Sequence, residues 1–185
     1  MLNTITSFHG STLEIGDYQP IATTTVGAGG SSSITFSSIP ATFQHLQIRA
    51  LARSTYAGTG DGYLLKFNGV GGTSYAYHLL IGTGSSAVAS ASTSAAFIVS
   101  GDLPAATETA NIFGGLVIDV LDYANTNKYK TTRSLSGDDR NGSGSVRFIS
   151  GLFMDTTAIS SVSLTLLNGG NFAQYSSIAL YGIKG

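Results

Sequence analysis

A chain of 185 residues without cysteine excludes thiolate catalysis, Cys-ligated zinc and disulfide scaffolds, and its length suits one domain. Only 10% of the residues are charged and the net charge is −1; the basic ones are scattered singly apart from Lys128, Lys130 and Arg133, so no basic stripe exists for free nucleic acid. Ser, Thr and Gly stand where charge is missing while mean hydropathy is +0.21, which argues against disorder and for a weakly charged surface suited to a protein assembled with others.

From the N-terminus, no basic, apolar signal pattern follows Met1, and no run approaches the roughly 18 apolar residues of a membrane helix, so neither a cleaved leader nor a membrane partner is expected. Residues 1–19 carry Leu2, Ile5, Phe8, Leu13, Ile15 and Tyr18 at irregular spacing. They form either an edge strand or an arm, and apolar residues on an arm without its own core must find a partner surface. From residue 20 to 185 the period is two, the signature of strands with one buried face. Ile34 and Phe36 alternate with Ser33 and Thr35; Leu46, Ile48, Ala50 and Ala52 with Gln47, Arg49, Leu51 and Arg53; Tyr63, Leu65 and Phe67 with Leu64 and Lys66. Ser85–Ala96, rich in Ala and Ser without a helical stripe, reads as a loop or short helical turn before a strand at Phe97–Val99. Asn111–Leu121 and Ser145–Asp155 are apolar on both parities and read as central strands, covered on both sides or touching a neighbouring subunit. Val162, Leu164 and Leu166 complete the pattern. Clusters such as Val26–Ser31, Gly58–Gly62, Asn68–Thr73, Gly82–Ser86, Gly137–Ser145 and Asn168–Asn171 mark chain reversals. The expected architecture is all-β, an antiparallel β-sandwich of nine or ten strands with a short N-terminal arm.

Candidate chemistry is sparse. His9, His45 and His78 lie far apart, no serine stands in a G-x-S-x-G elbow, and the histidines read as packed or surface residues. Asp119 and Asp122, three apart on a strand, point to opposite faces and do not make a carboxylate pair; Asp122 reads as capping the turn through Tyr123–Asn127. Asp139, Asn141, Ser143 and Gly144 match the first half of a calcium loop, but position twelve is Ser150, so Asp138–Gly144 reads as a solvated hairpin. The glycine clusters lack phosphate-loop spacing, and Tyr56, Tyr75, Tyr77 and Tyr123, taken as exposed, offer at most a weak sugar platform. No catalytic, cofactor or metal residue is assigned, and no enzyme activity is expected.

Ser38–Ala50 (SIPATFQHLQIRA), Leu121–Leu135 (LDYANTNKYKTTRSL), Asn141–Gly144, Gly151–Asp155 and Asn171–Gly185 (NFAQYSSIALYGIKG) resemble a family of small virion proteins of tailed bacteriophages, from about Tyr18 to the last residue. The resemblance implies a jelly-roll module and a place on the outer surface of the particle, with no active-site motif to carry over. The function expected from it is a non-catalytic head decoration (cement) protein, a homotrimer that bridges and stabilises subunits of the major capsid protein, the arm serving as anchor. The alternative is a tail-fibre or tail-tip adhesin that binds a host glycan beside other tail or fibre proteins. A polysaccharide hydrolase is the enzymatic alternative and needs two carboxylates in one cleft.

Overall fold

The computed structural model describes residues 17–185, which form twelve antiparallel strands in two sheets, with no helix among them. The strands are β1 (Tyr18–Thr25), β2 (Ser33–Phe36), β3 (His45–Ala52), β4 (Gly60–Phe67), β5 (Tyr75–Gly82) and β6 (Ala87–Ala95). They continue as β7 (Ile98–Pro104), β8 (Gly114–Leu121), β9 (Lys130–Asp139), β10 (Gly144–Phe153), β11 (Val162–Leu166) and β12 (Ser177–Ile183). The larger sheet has the order β1-β12-β3-β8-β9-β10-β5-β6 and the smaller β2-β11-β4-β7. The pairing is nested: β5 with β6, β4 with β7, β3 with β8, and β2 with β11. Two further ladders, β10 with β5 and β11 with β4, close this long double ribbon into a two-layered roll.

Alternation builds the core. Leu46, Ile48, Leu116, Ile118, Ile149, Phe153, Ile178 and Leu180 line the inner face of the large sheet, opposite Ile34, Phe36, Tyr63, Leu65, Phe67, Ile98 and Leu164 of the small one. Phe153 lies between Tyr75, at a centroid distance of 5.0 Å, and Phe67, at 5.4 Å. Each ring shields the next from water, and apolar burial on this scale is what drives the sheets together.

Four sequence expectations need correction. Ser85–Ala96 is neither loop nor helix, because it contains β6, whose pairing with β5 supplies the backbone partners that its small side chains do not compel. Strand β9 escapes the apolar period-two reading because its inward residues are polar: Lys130, Thr132, Ser134, Ser136 and Asp138 are buried while Leu135 faces out. There β7 lies close against the large sheet, the position a Cβ on Gly101 would occupy being 2.8 Å from Ser136 Cβ, so only small side chains fit between them. The Gly137–Ser145 reversal shrinks to Arg140–Ser143, as β9 runs to Asp139 and β10 starts at Gly144. Finally, Tyr75 and Tyr123 are buried. The Tyr75 hydroxyl bonds to the carbonyls of Phe67 and Val70, and that of Tyr123 donates to the Pro40 carbonyl.

Tyr18 and Gln19, which sequence placed in a segment read as either an edge strand or an arm, belong to the edge strand β1. Proline has no N–H for a ladder, and Pro20 is tolerated because β1 is an edge strand, bulged between Pro20 and Ala22. Leu2, Ile5, Phe8, Leu13 and Ile15 lie outside the described residues.

Candidate functional site

Two surfaces of the large sheet carry side chains or backbone that the described chain leaves without cover. The first is its outer face. In register across the strands, Leu80 of β5 stands opposite Phe148 of β10, Phe148 opposite Leu135 of β9, Leu135 opposite Val117 of β8, and Val117 opposite Arg49 of β3. One row along, Leu51, Gly115, Gly137 and Val146 follow the same order. Leu51, Leu80, Leu135, Val146 and Phe148 are each more than half exposed and Val117 is more than a third exposed, which makes a contiguous patch of the kind single chains rarely leave bare. The two glycines have no side chain, so Val117, Leu135 and Val146 wall a shallow depression of about 440 Å³ over Gly115 and Gly137.

Beside this apolar stripe runs a polar row. Gln47 donates to Asp119 (2.8 Å), Arg133 pairs with Asp119 (3.1 Å), and Arg49 donates to Gln47 (2.7 Å). The Arg49 guanidinium lies 5.5 Å from the Tyr18 ring centroid and 5.2 Å from that of Tyr181. Thus the segments that sequence marked as apolar on both parities are central strands whose outer parity faces this surface. Asn111–Leu121 contributes Val117, and Ser145–Asp155 contributes Val146 and Phe148.

The second surface is the sheet edge at β6, opposite the β1 edge. Strand β6 pairs only with β5, and seven of its nine residues are exposed. Its sequence, AVASASTSA, contains neither a charged residue nor proline, the devices that normally blunt a sheet edge. An irregularity near Ser94, whose φ is +56°, disturbs only its end.

Between the layers lies a cluster of charges that binds the small sheet to the large one. Asp102 on β7 accepts from Arg147 on β10 (2.7 Å) and from Arg140 (3.4 Å) in the β9–β10 hairpin. Arg140 also grips Asp138, whose side chain is wholly buried, and reaches Glu108 at 3.7 Å. The loop that sequence reads as a solvated hairpin thus sends Arg140 inward, and Asp138 is its partner, while Asp139 accepts from the Asn141 N–H at 2.9 Å. Gly144, at φ +127°, permits this turn: a Cβ there would stand 2.1 Å from the Asp138 carbonyl oxygen.

Burial pushes the Asp102 carboxyl up to about 6; Asp138 adds to this, and Arg147 and Arg140 oppose it. Between the ordinary value of 3.8 and about 6, the folded protein holds a proton that the unfolded chain has released. Stability from this group is therefore greatest at low pH, falls as pH rises through that window, and stays level above it. The fall is expected to be on the order of 3 kcal/mol. Chemical denaturation of the protein and of Asp102→Asn at pH 4, 5, 6 and 7 checks this: the variant should lose the decline, and an unchanged slope would contradict it.

Of the remaining candidates, His45 and Asp122 meet, the Nδ1 lying 3.5 Å from the Asp122 carboxylate, and the others stand apart. His45 Nδ1 accepts the Asp122 backbone N–H at 2.9 Å, and His78 lies on β5 in another part of the large sheet, four strands away from β3. His9 lies outside the described residues. Asp122, at the turn where Asn125 N–H bonds to its carbonyl at 3.0 Å, pairs with Lys128, whose hydrogen bond holds the carboxyl below its usual range. Asp119 binds Gln47 and Arg133, so the two aspartates serve separate networks. No group of three or more His, Cys, Asp or Glu able to hold a metal occurs among the described residues. No family model, no curated protein and no solved structure matches the chain.

Proposed function

We propose that this chain is a non-catalytic structural protein of a tailed-bacteriophage particle, a head decoration protein that bridges and stabilises neighbouring capsid subunits as a homotrimer on the outer surface. The observation that carries the reading is the bare, uncharged β6 edge on an eight-stranded sheet, because a row of unpaired backbone donors and acceptors is a template for another chain. Nested pairing of β2 with β11, β3 with β8, β4 with β7 and β5 with β6 supports a jelly roll, with β9 and β10 inserted beside β8 and the β1–β12 pair added at the edge of β3. Viral shells and lectins use that double-sheet arrangement. The scarcity of charge over the whole chain suits a protein held in an assembly.

Antibody labelling of intact particles, followed by a density map, tests this. Labelling spread over the head with the symmetry of the shell is the expected result. Labelling confined to the tail would overturn it in favour of a glycan-binding tail module, and no label on particles would remove both.

A further inference from the structure

We propose that two copies of this chain pack outer face to outer face about a two-fold axis that crosses the strands between the two exposed rows. Val117 and Leu135 of each copy then stand over Gly115 and Gly137 of the other. These two glycines have no reason within their own chain. Gly101 and Gly114 are required where the layers meet, since an added Cβ would lie 2.8 Å from Ser136 Cβ and 2.9 Å from Pro104 Cδ. On the outer face a Cβ at Gly115 meets nothing within 4 Å, and one at Gly137 makes only ordinary contacts at 3.7 and 3.9 Å. Neither residue has a positive φ. Glycine weakens a strand, and where its own fold does not need it, it marks the close approach of another surface.

Register carries the argument further. On β8, β9 and β5 a large residue of one row is matched two residues away by a glycine of the next: Val117 with Gly115, Leu135 with Gly137, Leu80 with Gly82. A two-fold axis in the plane of contact, perpendicular to the strands, exchanges the rows and keeps each strand opposite its own copy. All three bulges then meet all three gaps, which is the self-complementarity that a two-fold contact demands. The strands of the two copies run antiparallel and nearly aligned, as packed sheets do. Charge obeys the same operation. Arg133 and Asp139 lie on β9 two residues beyond Leu135 and Gly137, so Arg133 of each copy faces Asp139 of the other. The Arg133 side chain is 58% exposed beside Asp119, and Asp139 is exposed without an ion-pair partner among the described residues.

The area suffices. Eight strands make a face about 34 Å across and about 27 Å along the strands, on the order of 900 Å², against the roughly 800 Å² per partner of a stable complex. The contact covers the exposed apolar rows and leaves the β6 edge free for neighbours. It goes beyond the particle reading and does not rest on it. A three-fold association through other surfaces would combine with this axis into a closed assembly with an even number of chains.

Light scattering of the full-length protein over a dilution series reads the assembly. An even number of chains is the expected result. Gly137→Val should raise the dissociation constant of the pair by about tenfold or more, because the added side chain takes the space of the incoming Leu135. Circular dichroism of that variant should show the fold intact, since the added group points away from its own core. Arg133→Glu should weaken association too, and adding Asp139→Lys should restore it, a recovery that loss of folding cannot give. A single chain at every concentration would overturn the proposal in favour of another occupant of the face. Association that Gly137→Val leaves unchanged, or a charge exchange that restores nothing, would overturn it as well.

Discussion

Arg140→Met is expected to lower the stability of the fold by about 3–5 kcal/mol at neutral pH. The substitution keeps most of the apolar stem and deletes the guanidinium. That one group touches all three of Asp138, Asp102 and Glu108, and it brings the β9–β10 hairpin against β7. Without it the Asp138 side chain, shut away from solvent, loses its ion-pair partner and keeps only the Ser145 N–H and hydroxyl, and Asp102 keeps only Arg147. Desolvating a charge in this way costs far more than a surface ion pair yields, since the medium no longer screens it. The loss should shrink as pH falls through about 6, where Asp102 takes up a proton, and Arg140→Met with Asp138→Asn should recover much of it. Urea denaturation of the single and double variants from pH 5 to 8 measures all three effects. A loss below 1 kcal/mol at neutral pH would show that the cluster is not what binds the layers there.

Phe153→Ala should cost about 3–5 kcal/mol, with no dependence on pH. Phe153 is completely buried at the end of β10, where its ring meets Phe67 of the small sheet and Tyr75 of β5. Truncation removes the apolar contact and leaves a void that the two remaining rings cannot fill, because Tyr75 is fixed by its hydroxyl bonds to the carbonyls of Phe67 and Val70. Phe153→Leu, closer in volume, should cost less than half as much. Denaturant midpoints at a constant slope read the difference directly. The contrast with Arg140→Met in pH dependence separates the apolar and the ionic ties between the same two layers.

Much of the fold was legible in the chain because most strands obey one rule. In β2, β3, β11 and the Tyr63–Phe67 part of β4 every second residue is apolar and buried. Strands β6 and β9 broke the rule for opposite reasons. The Ala and Ser of β6 have no buried side to declare, and the inward Ser and Thr of β9 are small because β7 lies hard against them. The candidate surface was half legible: apolar residues on both parities of Asn111–Leu121 and Ser145–Asp155 signalled a second face. The ionic cluster had one faint signal, a lone aspartate in the apolar run Phe97–Ala105 of a chain poor in charge.

Composition and two-residue periodicity by themselves determined that this protein is all-β, built on one apolar interior without a disulfide, because alternation is a local property written into neighbouring residues. Tertiary structure alone decided that Leu80, Val117, Leu135 and Phe148 stand in one row, and that Asp102 meets Arg140 and Arg147. Those residues lie tens of positions apart, and strand register, which no local pattern encodes, brings them together.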